Sequence, residues 1–292
     1  MHQLGEIAIS RVVESEGPFV DVFGFLPDAQ KDVIEANRDW LMPRYIDPES
    51  MMIILNIQSY ILRTPRHTIL VDACVGNHKT RPGRPMFDQL NTPYLADLEA
   101  AGVKPEEVDY VLCTHLHVDH VGWNTQLIDG RWVPTFPNAK YVFARTEHDF
   151  WEQRHKDGSE GPVPNVYDDS VLPVVEAGQA VLVESDHELD HGISLEPAPG
   201  HTPGNIVLNL SSGGSDAVLT GDVMHHPLQL VRPEWSSRAC EDHIQSAKTR
   251  RALIERYADT DTLIAPAHFA SPTMGHIIRR GDNFGFRLLG EE

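Results

Sequence analysis

Apolar and polar positions alternate in short bursts along this chain rather than in long uniform blocks. Runs rich in β-branched residues predict strands over 51–62, 67–72, 108–114, 140–144, 180–184, 206–210, 217–220 and 262–265. Between them, helical spacing predicts helices over 29–40, 94–101, 146–155 and 241–258. In the last of these, Ile244, Ala247, Ile254 and Tyr257 recur at helical intervals among charged residues, which predicts a surface helix with one buried stripe. Asp129-Gly130, set between Leu127-Ile128 and Arg131-Trp132-Val133, signals a hairpin, and the loop from Ser211 to Asp216 joins two more β-like runs. The pattern is α/β with some antiparallel pairing. No repeat or low-complexity tract interrupts it, so a single domain over 1–292 is expected, with 1–50 an N-terminal segment that carries no readable motif.

Composition narrows the function classes. The chain has 292 residues, 41% of them hydrophobic, which is enough apolar material for a sizeable core and excludes disorder as the main state. Its 43 acidic and 24 basic side chains give a net charge of -19, and no basic run interrupts it, so phosphate backbones are repelled and nucleic acid is excluded as the expected partner. The longest apolar stretch, 51–57, is broken by Asn56 and is far short of the roughly 20 residues of a membrane span, so no membrane partner is expected. The opening residues lack the basic segment, apolar run and cleavage site of a secretory signal. Cys74, Cys113 and Cys240 are odd in number and far apart, which fits buried thiols in a reducing cytoplasm, the expected location.

The chemistry concentrates in Thr114-His115-Leu116-His117-Val118-Asp119-His120. An apolar strand ends at Thr114, and extended backbone then turns His115 and His117 to one side. Asp119 and His120 are adjacent, so both point inward only if the chain turns there. Neutral imidazole and carboxylate suit Zn²⁺ and related divalent metals. Three further donors follow similar junctions: His201 in Gly200-His201-Thr202-Pro203-Gly204, Asp222 in Thr220-Gly221-Asp222, and His268 in Ala265-Pro266-Ala267-His268. Glycine and proline beside them allow tight turns and close backbone approach.

This order of motifs, spanning roughly 69–269, resembles the metallo-β-lactamase-fold hydrolase superfamily, and within it the N-acylhomoserine lactonase and organophosphate-hydrolase branch. The resemblance implies a four-layer αββα sandwich. It implies that His115, His117 and His201 hold one metal ion, that Asp119, His120 and His268 hold a second, and that Asp222 bridges both. Five His and two Asp exceed what one tetrahedral ion uses. The implied cofactors are two Zn²⁺, with Mn²⁺, Fe²⁺ or Co²⁺ as substitutes. The implied reaction is attack by a metal-bridging hydroxide that opens a lactone or cleaves a carboxylic or phosphate ester, with Asp119 combining ligation and proton handling. The implied partners are a small-molecule lactone or ester and, from family behaviour, a second copy in a homodimer.

Several points stay open. In the acylhomoserine lactonases a Tyr lies three residues after the bridging Asp, but His225 stands here; it is a catalytic candidate or a loop histidine held by a carbonyl. His226, before Pro227, reads as structural. Asp72, ending a strand, is a candidate partner for a ligand imidazole or an ordinary turn residue. The basic loop from His78 to Arg84 either attracts an anionic substrate or is solvated. Trp123, Met224, Phe269, Phe23 and Phe25 are candidates for an apolar pocket wall or for core. Alternative activities on the same fold are a mononuclear-iron persulfide dioxygenase, a β-lactamase and a glyoxalase-type thioester hydrolase.

Overall fold

The computed structural model describes residues 1–159 and 161–291. Its strands in chain order are β1 (His2–Leu4), β2 (Ile7–Asp21), β3 (Met52–Arg63), β4 (Thr68–Val71), β5 (Tyr110–Leu112), β6 (Thr125–Ile128), β7 (Arg131–Pro134), β8 (Lys140–Ala144), β9 (Ala180–Val183), β10 (Glu188–Asp190), β11 (Ile193–Pro197), β12 (Ile206–Ser212), β13 (Ser215–Leu219), β14 (Leu263–Ala265), β15 (Gly275–Arg280) and β16 (Asn283–Leu288). Two seven-stranded sheets result, ordered β1-β2-β3-β4-β5-β8-β9 and β10 through β16 in sequence, and β6 pairs with β7 alone. All eight strands expected from the sequence are present. The α/β class is as expected.

The chain divides into two compact units, Met1–Glu14 with Ile57–His187, and Ser15–Asn56 with Glu188–Glu292. In the first unit, β4, β5, β8 and β9 run parallel. Ile69, Leu70, Val71, Val111 and Leu112 are all buried, as a parallel strand covered on both faces requires. The helix Arg145–Lys156 follows β8. The hairpin β6–β7 turns on Asp129 and Gly130, both at positive φ, which is the geometry its Asp-Gly signal predicts.

In the second unit all neighbouring strands pair antiparallel except β13 and β14, which are parallel. Its core gathers Val22, Ile34, Tyr45, Ile53, Val207, Met224, Ile254 and Phe269 among others. The N-terminal stretch 15–56 is therefore woven into this core, its expected helix over 29–40 resolving into Lys31–Ala36 and Arg38–Leu41 with a break at Asn37. The helix His243–Tyr257 is present but rotated from its expected stripe. Ile244 is 85% exposed, and the buried positions are Ser246, Arg250, Leu253 and Ile254. The reason is Arg250, whose guanidinium bonds the carbonyls of Pro233, Val223 and Trp235 and so pulls a charged position inward. Among the described residues no helix is long and apolar enough to cross a membrane, and all three cysteines are free and buried.

Candidate metal centre

In the first unit the ligand run begins where β5 stops. The Cys113 N–H still bonds Val142 of β8, but the next N–H, from Thr114, turns to the Asp72 carboxylate at 2.7 Å. His117 is extended (φ -72°, ψ 163°) and caps a one-turn helix, Val118–Val121, so the chain turns at the point the adjacent Asp119-His120 pair demands. The rings of His115 and His117 stand 4.7 Å apart, and those of His115 and His120 4.0 Å. His120 Nε2 faces Asp119 at 3.9 Å. All four predicted donors of this run are thus brought together. His115 and His120 are buried, while His117 and Asp119 are half-exposed.

The surroundings hold this arrangement. Asp72 Oδ2 lies 2.9 Å from His120 Nδ1, the place a partner of that imidazole takes. The Gly122 N–H bonds Cys74, and a Cβ on Gly122 would meet the Val75 carbonyl at 1.8 Å, so only glycine closes this turn. Two carboxylates that the sequence did not single out also act here. Glu147 accepts the Leu116 N–H at 2.9 Å, between His115 and His117, and the Trp151 indole N–H at 2.7 Å. Glu14 accepts from Val75, Gly76 and the Trp123 indole, and burial pushes its pKa up. Both are charged residues with no motif around them in the sequence; only the tertiary contacts expose their role. Cys113 is core, beside Asn124, with its thiol pushed up by burial.

In the second unit His201, Asp222 and His268 converge with His225. Asp222 sits in the turn Gly221–Val223 just past β13, and His268 follows β14. His201 Nε2 lies 3.2 Å from Asp222 Oδ2, and His268 Nε2 lies 3.0 Å from Oδ1. His268 is clamped to Asn56 twice, its carbonyl accepting the Asn56 N–H at 3.0 Å and its Nδ1 meeting the Asn56 carbonyl at 2.8 Å. His225 Nε2 is 3.1 Å from Asp222 Oδ2, its ring parallel to that of His268 at 5.8 Å and edge-on to Phe25 at 5.3 Å. Burial pushes His225 down to about 4. Burial pulls His201 down as well, but the Asp222 carboxylate overrides it and raises His201 to about 10. A carboxylate field that favours positive charge on a buried imidazole nitrogen equally favours a cation bound there. The donors therefore fit a divalent metal ion.

The remaining expectations resolve as follows. His226 is structural, its Nε2 on the Tyr45 carbonyl at 2.8 Å and its Nδ1 accepting the Leu228 N–H at 3.1 Å. Trp123, Met224 and Phe269 are buried core, while Phe25 is half-buried beside His225. The basic loop divides: Lys79 and Arg81 are fully buried against Asp169, while His78 and Arg84 are exposed.

Comparison with known proteins agrees with this architecture. Residues 53–268 match the metallo-beta-lactamase superfamily profile. An N-acyl homoserine lactonase of Bacillus cereus is 27% identical over 177 residues, covering 56% of this chain, and the chain spans 62% of the length of that curated relative. Among solved structures, the hydrolase AbOPH of the beta lactamase superfamily has a TM-score of 0.81 at 24% identity, covering 100% of this chain and 97% of its own. AidC, a dizinc quorum-quenching lactonase, has a TM-score of 0.79 at 20% identity with the same coverage of 100% and 97%. With the profile matched over most of its length, the chain belongs to the metallo-beta-lactamase superfamily.

Proposed function

We propose that this protein is a metal-dependent hydrolase that opens a lactone or cleaves a carboxylic or phosphate ester, and that its two donor sets together hold two zinc ions in one domain spanning both units. In this reading His115, His117 and His201 would hold one ion and Asp119, His120 and His268 the other, with Asp222 serving both. The observation that carries it is the placement of Asp222: His201 and His268, assigned to different ions, stand against different oxygens of its carboxylate, at 3.2 and 3.0 Å. With an imidazole against each oxygen, this carboxylate would be shared between the two donor sets. The names of the lactonase relatives support a lactone as substrate.

When bound, two such ions supply Lewis-acid polarisation of the scissile group and acidification of water. The chain's residues supply the rest. Asp119, half-exposed on its one-turn helix, takes the proton lost by the attacking water and passes it toward the leaving oxygen. His225 presents Nε2 beside Asp222, where a ring N–H polarises the substrate oxygen or protonates the leaving group. Asp72, Glu147 and Asn56 hold the donor loops in place, so little reorganisation accompanies reaction.

The test is a panel of lactones, aryl esters, phosphotriesters, β-lactams and glutathione thioesters on zinc-, manganese- and iron-loaded protein, with metal analysis. About two zinc per chain and turnover of a lactone or ester are expected, with both metal and turnover lost in His120→Ala and Asp222→Asn. One iron per chain with oxygen consumption on persulfides overturns the reading.

A further inference from the structure

In zinc centres the imidazole nitrogen turned away from the ion ordinarily donates to a carboxylate, a carbonyl or water, which fixes the tautomer and the ring orientation. His120 and His268 follow that rule through Asp72 and the Asn56 carbonyl. His201 departs from it. Its Nδ1 faces the sulfur of Cys240 at 3.5 Å.

The sulfur is held on every side by polar atoms, Ser237 Oγ at 3.4 Å and Ser246 Oγ at 3.3 Å as well as His201. A cysteine serving only as a small hydrophobe would sit among carbon atoms. The backbone on both sides is clasped to the His201 loop: the Glu241 N–H bonds the His201 carbonyl at 2.8 Å, and the Asp242 N–H bonds Gly200 at 2.9 Å. Gly200 makes that approach possible, because a Cβ there would stand 2.2 Å from the Ser246 nitrogen. Arg250 donates to Ser246 Oγ at 3.2 Å and to the Val223 carbonyl at 3.1 Å, so the same scaffold grips the sulfur's neighbour and the turn that carries Asp222.

We propose that Cys240 is a positioning residue for His201: its sulfur accepts the Nδ1–H, which leaves Nε2 unprotonated and turned toward Asp222 to hold a metal ion. The thiol proton is then donated to a serine hydroxyl, Ser237 or Ser246. Neutral imidazole carries one ring proton, and a ring that ligates through Nε2 must keep it on Nδ1, where the sulfur waits. The inference rests on the metal reading above.

The experiment compares the parent with Cys240→Ala and Cys240→Ser, all zinc-loaded, reading zinc affinity by chelator competition and imidazole N–H signals by ¹⁵N-histidine NMR. Alanine removes the acceptor and is expected to lose about 10–100-fold in affinity for one of the two ions, while serine, which keeps an acceptor, stays within about threefold of the parent. The Nδ1–H signal of His201 shifts in both variants, and those of His120 and His268 hold. Equal affinity in the parent and alanine variant, or equal loss in alanine and serine, overturns the assignment of Cys240 alone. A parent that binds no zinc overturns the metal reading and this inference with it. Should the alanine variant not fold, the serine variant decides, because a His201 Nδ1–H signal unmoved by exchange of sulfur for oxygen overturns the proposal.

Discussion

One carboxylate, Asp72, joins His120 to the start of its own ligand run: Oδ2 lies 2.9 Å from His120 Nδ1 while Oδ1 accepts the Thr114 N–H at 2.7 Å. Asp72 does this from a left-handed backbone position (φ 61°), which Asp and Asn tolerate better than other side chains. Asp72→Ala is therefore expected to lose about 10–100-fold in zinc affinity. Asp72→Asn keeps the backbone conformation and one acceptor oxygen, and is expected to lose less. Zinc retained after dialysis against graded chelator measures both, and retention equal to the parent's in the alanine variant would mean that His120 is oriented by something else.

Gly122 closes the same loop from the other side. A methyl group there would stand 1.8 Å from the Val75 carbonyl and push apart the contact that the Gly122 N–H makes with Cys74. Because the obstacle is backbone, no rotamer change relieves it. Gly122→Ala is expected to cost more than about 3 kcal/mol of stability, read as a fall in the denaturation midpoint at unchanged m-value.

The candidate donors were legible because each lies within a few residues of a strand end, where local pattern is informative. The adjacent Asp119-His120 pair already demanded a turn there, and Val118–Val121 supplies it. What the sequence concealed depends on contacts between distant segments. β2 was hidden because Glu14, Glu16 and Gly17 read as a loop, whereas Glu14 is buried by N–H groups from positions 75, 76 and 123. β15 ends in Arg279 and Arg280 and β16 opens on Asn283, which dilutes their alternation. The stripe of the helix His243–Tyr257 includes Ile244 in the sequence because hydropathy cannot foresee an arginine buried by four hydrogen bonds to neighbouring segments and one to Ser246 of its own helix. Cys240 was invisible for the same reason, lying 39 residues from the histidine it meets.

The buried cluster of Lys79, Arg81 and Asp169 gives the protein a pH-dependent stability. Arg81 grips Asp169 with two bonds of 2.6 and 2.7 Å, and Lys79 Nζ lies 3.4 Å from the same carboxylate, 2.8 Å from Thr125 Oγ1 and 3.8 Å over the Trp132 ring. Two cations face one anion, and burial pushes Lys79 down to about 7, with Arg81 adding to the shift and Asp169 opposing it. The unfolded lysine titrates near its ordinary value, about 10.4. Between these values the unfolded chain binds the extra proton, so this group's contribution makes unfolding free energy rise with pH across that window and fall as pH drops through it. Denaturation curves from pH 7 to 10 should show that slope in the parent and lose it in Lys79→Met. Asp169→Asn leaves the buried Arg81 guanidinium without its carboxylate partner and is expected to cost about 3–5 kcal/mol.

His225 separates a catalytic role from a structural one by what its loss leaves intact. Its backbone is fixed independently of its ring, because the N–H donates to Gln229 Oε1 at 2.7 Å and the helix Leu228–Val231 follows directly. Its ring is packed between Phe25 and His268, with Nε2 3.1 Å from Asp222 and Nδ1 without a hydrogen-bond partner among the described residues. A buried imidazole nitrogen with nothing to bond is costly for a side chain whose only task is packing, since leaving one partner out forfeits about 1–3 kcal/mol. His225→Ala is accordingly expected to lower kcat by about 10²–10⁴-fold while zinc content stays at the parent level, and His225→Gln, which keeps an N–H donor near the same place, should recover part of the rate. Zinc lost together with activity would mark His225 instead as a support for the Asp222 turn, and an unchanged kcat would remove it from the reaction.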